Sequence, residues 1–257
     1  IWKSNKYKLM KSKGNYTKGL ISRCTNYKDS DIIFTLLSEE KGIQNFIARG
    51  AKKPSSKLSG HIEPINYVEI YYASNSSLAP VSQIQPINSF IKTKSNYDLL
   101  MKSQYLVELS EKFFSDDTSN KSQLSRLIKT IDELTNTKHP ELVILVYEYE
   151  LLKSSGFGLS IFECINCSGT LKKMSHYFSI NNSGFYCKDC LEESSEKEEL
   201  IKFSIENQVV FRSIERRSYN EISSLDLNAV SIKNLSEVLR KSISNVLGVQ
   251  LKTSRFL

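Results

Sequence analysis

Two Cys-x-x-Cys pairs, Cys164-Ile-Asn-Cys167 and Cys187-Lys-Asp-Cys190, stand nineteen residues apart. Each pair turns two sulfurs toward one point, and this separation falls within the range of a four-thiolate zinc site. Such a site has no open coordination position for water, so the metal would tie chain segments together and hydrolyse nothing. The alternatives are two disulfides, four unrelated thiols, or a loop that has kept its knuckles and lost its metal. A disulfide framework belongs to small secreted chains, whereas this chain has 257 residues, is rich in lysine and reads without a signal segment. The expectation is a structural zinc ion on Cys164, Cys167, Cys187 and Cys190, in a module spanning residues 162–192. Cys24 reads as a half-buried strand residue.

A chain of this length can bury a real core and hold two or three modules. Its longest apolar run, Leu142 to Tyr147, is far too short to span a bilayer, and the expected location is the cytoplasm. The net charge of +7 is concentrated at the front: residues 1–60 carry 13 Lys or Arg against 4 Asp or Glu, and residues 61–257 carry 22 against 24. A local excess of this kind suits a polyanion partner, most often nucleic acid, and equally suits a solvated basic face.

The chain opens with Ile1 in place of Met, as a fragment or an unusual start would. Residues 1–15, with Lys3, Lys6, Lys8, Lys11 and Lys13, read as a basic arm. Five short strands follow over 16–88: Tyr16–Thr25, Ile32–Leu37, Ile43–Arg49, Ile65–Tyr72 and Leu78–Ile84, each bounded by turn residues. In the fourth, Val68, Ile70 and Tyr72 alternate with Tyr67, Glu69 and Tyr71, which predicts one buried and one wet face. Five short strands with a break after the third suit a small closed barrel of the OB-fold kind. The break, Gly50–Gly60, is read as a flexible segment carrying Lys52, Lys53 and Lys57 after Arg49. Lysines there could track phosphates, with Tyr27 or Tyr71 stacking bases, or could simply be solvated.

Residues 89–257 read as a helical domain, making the chain α+β. Ser95 with Asp98 suggests a capping box ahead of a stripe through Leu99, Leu106, Leu109 and Phe113. After a polar loop over Asp116–Lys121, Leu124, Leu127, Ile128, Ile131 and Leu134 form a second stripe. Pro140 opens a third helix that ends near Gly156 and is apolar nearly all round over Leu142–Tyr147, so it belongs at the centre. Beyond the cysteines come an acidic run over Glu192–Glu199, a helical segment through Phe203, Val209, Val210 and Phe211, and a final helix with Ile232, Leu235, Leu239, Ile243 and Val246 on one face, stopping at Gly248. A basic tail with Lys252 and Arg255 closes the chain.

The three histidines, His61, His139 and His176, sit in unrelated segments, and the sequence has no phosphate-loop, nucleophile-elbow or zinc-deaminase pattern. Binding is therefore the expected class, not catalysis. On the residues alone a DNA-binding mediator, an RNA- or ribosome-associated barrel with a zinc module, and an architectural adaptor stand nearly level.

The order of parts resembles the RecO family of bacterial DNA repair proteins. Gly19-Leu-Ile-Ser-Arg-Cys-Thr-Asn-Tyr-Lys-Asp-Ser-Asp31 looks like the family's first strand and following turn, and Arg49-Gly-Ala-Lys-Lys-Pro-Ser-Ser-Lys57 like its basic loop, here with lysines where arginines are common. Tyr147-Glu-Tyr-Glu-Leu-Leu-Lys-Ser-Ser-Gly156 is similar to the helix before the cysteine module. Tyr177-Phe-Ser179 falls between the two cysteine pairs, and Leu247-Gly-Val-Gln-Leu-Lys-Thr-Ser-Arg-Phe-Leu257 looks like the family's closing tail. The resemblance spans residues 16–257. It implies binding of single- and double-stranded DNA, annealing of complementary strands covered by single-stranded DNA-binding protein (SSB), and joint action with RecR in loading RecA. Under it, Arg23, Arg49, Lys52, Lys53 and Lys57 would neutralise phosphates, and a groove in the helical bundle would take the acidic, hydrophobic-ended tail of SSB.

Overall fold

The structure, a computed structural model, describes residues 15–73, 76–114, 120–193, 200–216, 221–222 and 229–257. The basic arm before Asn15, most of the polar loop after Phe114 and most of the acidic run after Glu193 lie outside the described residues. The chain divides into two compact units, one holding residues up to 91 with 114–128, the other holding 92–113 with 129–257.

The first unit is a closed five-stranded barrel with strand order β1-β2-β3-β5-β4. Its strands are β1 (Asn15–Tyr27), β2 (Asp31–Ser38), β3 (Gly42–Ala48), β4 (Tyr67–Tyr72) and β5 (Ala79–Asn88). β1 pairs antiparallel with both β2 and β4, and a short parallel contact of β3 with β5 closes the ring. Closure removes free edges, and it requires inward side chains to fill the interior. Ile21, Phe34, Leu36, Phe46, Val68, Ile70 and Tyr72 do so. The alternation read in β4 holds: Val68, Ile70 and Tyr72 are buried while Tyr67, Glu69 and Tyr71 are half-buried. β5 runs further than expected, through Pro86, because the ladder shifts register between Tyr67 and Val68 there and needs no donor from proline.

Helices α1 (Ile91–Lys94), α2 (Tyr97–Phe113), α3 (Lys121–Leu134) and α4 (Pro140–Ser154) follow. The cap of α2 is Asn96, not Ser95. Asn96 Oδ1 accepts the Leu99 N–H at 3.1 Å, while the Ser95 hydroxyl turns back to the Lys92 carbonyl. Asp98, three residues after Ser95, pairs instead with the buried Lys102 one turn on. α4 begins at Pro140 as expected and stops before Gly156, whose φ of +85° suits glycine.

The cysteine module, for which no strands were read from the sequence, is built on a four-stranded sheet. β6 (Ser160–Cys164), β7 (His176–Ser179), β8 (Gly184–Tyr186) and β9 (Leu200–Phe203) assemble in the order β6-β8-β7-β9. Phe203, assigned from sequence to a helical segment, pairs in β9 with His176 of β7. α5 (Lys188–Glu193), α6 (Ile205–Arg216), α7 (Ala229–Leu247) and a C-terminal turn (Lys252–Phe256) also belong to the second unit, with α7 packed on α4 and α6. Phe178, Phe185, Phe203 and Phe211 form the shared core of sheet and α6, with neighbouring rings 5.0 to 6.0 Å apart.

Gly19 lies where three barrel strands meet, opposite Ser38 and Val68. A Cβ there would stand 2.5 Å from the Leu37 carbonyl and 2.6 Å from Leu36 Cγ, so a strand must shift to admit it. Gly19→Ala is expected to destabilise the barrel by about 1–3 kcal/mol, lowering its thermal midpoint by several degrees. An unchanged midpoint in a calorimetric scan would contradict this packing.

Candidate metal centre and nucleic-acid interface

The sulfurs of Cys164, Cys167, Cys187 and Cys190 all lie within 4.8 Å of one another. Cys164 ends β6 and Cys167 lies in the turn after it; the second pair spans the start of α5, immediately after β8. Because β6 and β8 run parallel, their ends bring both knuckles to one place. Gly184 permits that approach: a Cβ there would meet Ile165 Cγ2 at 2.4 Å. Cys167 Sγ and Cys187 Sγ are 3.8 Å apart, too far for a disulfide and equal to the edge of about 3.8 Å that four sulfurs about 2.3 Å from a tetrahedral ion would define.

The local electrostatics suit an ion. Burial pushes the Cys164 thiol up, yet backbone N–H groups of Cys167, Cys187 and Asn166 directed at its sulfur outweigh this and bring it down to about 6. At Cys190 a bond from Asn166 lowers the thiol, but Cys187, burial, Cys167 and Cys164 together push it up to about 12. Four thiols so placed cannot all ionise beside one another unaided; a divalent cation at their centre would remove the conflict. The cluster can therefore hold a metal ion. Cys24, on β1, is half-buried and outside it.

On the barrel, Arg49, Lys52, Lys53 and Lys57 are all exposed on the β3–β4 connection. The segment read as flexible is fastened at its start. The Gly50 N–H donates to Asp31 Oδ1 at 2.7 Å, the Lys52 N–H donates to the Ser30 carbonyl at 2.9 Å, and Ala51 is fully buried between them. Ser30 ends the β1–β2 turn and Asp31 begins β2, so a carboxylate fixes where the lysines start. Arg23 is exposed on β1, beyond a register shift after Ile21. Of the aromatic candidates, Tyr27 is exposed with Lys28 Nζ 5.3 Å from its ring centre. Tyr71 lies beside Tyr16, its partner across β1 and β4, with centroids 6.1 Å apart. Tyr16 is 62% exposed and was not singled out from sequence. Its pairing with Tyr71 depends on register, which strand composition alone does not reveal.

The second unit contains a cavity of about 1200 Å³ lined by Leu142, Ile201 and Ile232 among apolar residues and by Lys233, Arg240 and Lys241 among cations. Glu141 and Glu237 also line it, paired with Lys102 and Lys241. The C-terminal turn closes one side. Glu108 accepts the N–H groups of Lys252 at 3.0 Å and Thr253 at 2.9 Å, which fixes that turn on α2 and sets Ser254 and Leu257 on the cavity wall. Burial tends to raise the Glu108 carboxyl, but these bonds and the Thr253 hydroxyl hold it below its usual range. Arg240 is held from behind by Glu148, which is wholly buried on α4: Arg240 Nε lies 3.4 Å from Glu148 Oε1, and the Tyr105 hydroxyl donates to the same oxygen at 2.5 Å.

Residues 13–90 match the family model described as recombination protein O N terminal, and residues 94–255 match recombination protein O C terminal. The chain belongs to the RecO family. It is similar to the DNA repair protein RecO of Dehalococcoides mccartyi strain CBDB1, 30% identical over 241 residues that cover 94% of each chain. The DNA repair proteins RecO of Desulforamulus reducens and Bacillus pumilus are each 24% identical, across 93% and 94% of this chain and 91% and 92% of their own. The role this membership carries is in DNA repair and recombination, and it is not a catalytic one. Among the described residues, no helix is long and apolar enough to cross a membrane.

Glu148 gives the bundle a pH signature. Burial pushes its carboxyl up to about 7 against the pull of Arg240 and Tyr105, whereas in the unfolded chain it titrates near 4.5. Between these values the folded chain binds the extra proton, so stability is greatest at the acid end and falls as pH rises toward 7. The full difference is about 3 kcal/mol. Glu148→Gln keeps an oxygen for Tyr105 and Arg240 but cannot titrate. The midpoint of the parent relative to this variant is expected to fall by several degrees from pH 5 to pH 8; a constant difference would show that Glu148 does not titrate in this window.

Proposed function

We propose that this chain is a recombination mediator that binds single- and double-stranded DNA, anneals complementary strands coated by SSB, and acts with RecR to help load RecA. The observation that carries the reading, beside family membership, is the seating of Arg49, Lys52, Lys53 and Lys57 on an anchored loop of a closed barrel. Residues 16–88 are the DNA-binding domain, with Arg23 completing the basic surface. Residues 89–257 are the helical domain with its module at 162–192. Cations on an ordered loop neutralise phosphates at a smaller entropic cost than cations on a free strap, and they release counterions on doing so. Annealing needs no nucleotide hydrolysis; it needs a surface that screens two polyanions. The four cysteines hold zinc in this reading, where it would supply cross-linking of β6, β8 and α5 and leave no coordination position for a substrate.

The cavity of the second unit is the proposed seat for the tail of SSB. Lys233 and Arg240 would hold its carboxylates while a terminal aromatic side chain enters between Leu142, Ile201 and Ile232. Such work belongs in the cytoplasm, at the nucleoid.

The test is the rate of annealing of complementary strands, naked and SSB-coated, at several salt concentrations. The Lys52, Lys53, Lys57 triple alanine variant should anneal both kinds of strand roughly tenfold more slowly at moderate salt, with a salt dependence of DNA binding reduced by about 2–3 in slope. Lys233→Glu should slow only the SSB-coated reaction. A parent protein that leaves the spontaneous annealing rate unchanged would contradict the mediator reading.

A further inference from the structure

On the outer side of the cysteine module, α6 packs on β6 and sets Arg212 and Arg216, one turn apart, against a single ring. The guanidinium of Arg216 lies 4.5 Å from the centre of Phe162 and that of Arg212 lies 5.7 Å from it. Only part of this is explained by packing. Arg212 donates through Nε to the Ile161 carbonyl at 3.0 Å, but its enclosed Nη2 has no hydrogen-bond partner among the described residues. Among those residues, neither arginine has a carboxylate within ion-pairing distance: the acid between them, Glu215, turns away to Tyr149 and to Lys153, 2.7 Å distant. Burial and the charge of Arg216 both lower the Arg212 guanidinium's hold on its proton. Two like charges over one aromatic ring, with Arg216 exposed and no carboxylate at ion-pairing distance among the described residues, make a site that an anion would relieve.

The neighbouring loop adds to the same charge. The Leu171 N–H donates to the Phe162 carbonyl at 2.9 Å, so the exposed Lys172 and Lys173 come just after a residue bonded to the strand that bears the ring. Four cations on adjoining elements match a ligand with repeating negative charge. The Phe162 ring already carries guanidinium groups, which leaves the donors of the exposed Arg216, not an open ring, for that ligand.

We propose that Arg212 and Arg216, with Lys172 and Lys173, form a second nucleic-acid contact, on the cysteine module, that binds the phosphate backbone of a DNA strand. This rests on the DNA-binding reading above and deepens it. The barrel loop supplies one seat for a polyanion and the module supplies another, so a single chain can hold two strands.

The experiment compares the parent, Arg216→Gln, the Arg212→Gln/Arg216→Gln double variant and the barrel triple variant. It measures binding of a fluorescent single-stranded oligonucleotide across salt and annealing of two naked strands. Arg216→Gln, which leaves the Arg212 bond to Ile161 in place, should weaken binding about 3-fold, lower the salt slope by about 1 and slow annealing; the double variant should do so further. Retention of parental affinity, slope and annealing rate by Arg216→Gln, while the barrel variant is impaired, would overturn this second contact and leave the mediator reading standing. A parent that binds no oligonucleotide at low salt would overturn both. Unchanged DNA binding with lost binding of a poly-glutamate peptide would overturn the proposal in favour of an acidic protein partner.

Discussion

Four sulfurs within 4.8 Å of one another are the constraint on which the second unit depends. Thiols so close resist joint ionisation, and the opposite displacements of Cys164 and Cys190 express that conflict. A cation resolves it, and in doing so it would join the end of β6 to the start of α5. The strands concerned are three to five residues long, too short to be stable alone. What they would gain from a metal's cross-link would pass through the Phe178, Phe185, Phe203 and Phe211 core to α6, and from α6 to α7. An ion there would thereby position two surfaces: the arginine pair over Phe162, and the α7 wall of the cavity.

A second polar element works in the same direction. Glu148 is buried on the central helix and held by Tyr105 of α2 and Arg240 of α7, so it ties three helices together at one oxygen. A buried carboxylate contributes little net stability, since its desolvation offsets what its partners supply. Its value lies in orientation: it holds Arg240 at the cavity wall. Asp31 plays a similar part on the barrel, where one carboxylate oxygen fixes the start of the loop that carries the lysines.

How much of this was legible in the sequence follows from the length of each signal. Barrel strands of six to thirteen residues carry enough alternation to be read, as Val68, Ile70 and Tyr72 show. The cysteine spacing was equally plain, because its meaning depends on covalent distances alone. The sheet of the module was not legible: strands of three to five residues show no period, and Phe203, next to a helical stretch, looked like part of it. Ser95 and Asn96 are both good caps, and only the geometry of the chain leaving α1 chose the second. Glu148, Arg240, Arg212 and Arg216 come from segments far apart in sequence, and nothing local announces that they meet buried partners or one shared ring. The anchoring of Gly50 by Asp31 was hidden for the same reason.

The metal content of the protein as purified, together with amide exchange before and after metal removal by a thiol reagent and chelator, tests this account most directly. One zinc ion per chain is expected, with a loss of protection in β6–β8 and α6 on removal while the barrel strands keep theirs. A chain that is metal-free when purified without chelators, yet shows full protection across residues 160–190, would contradict it.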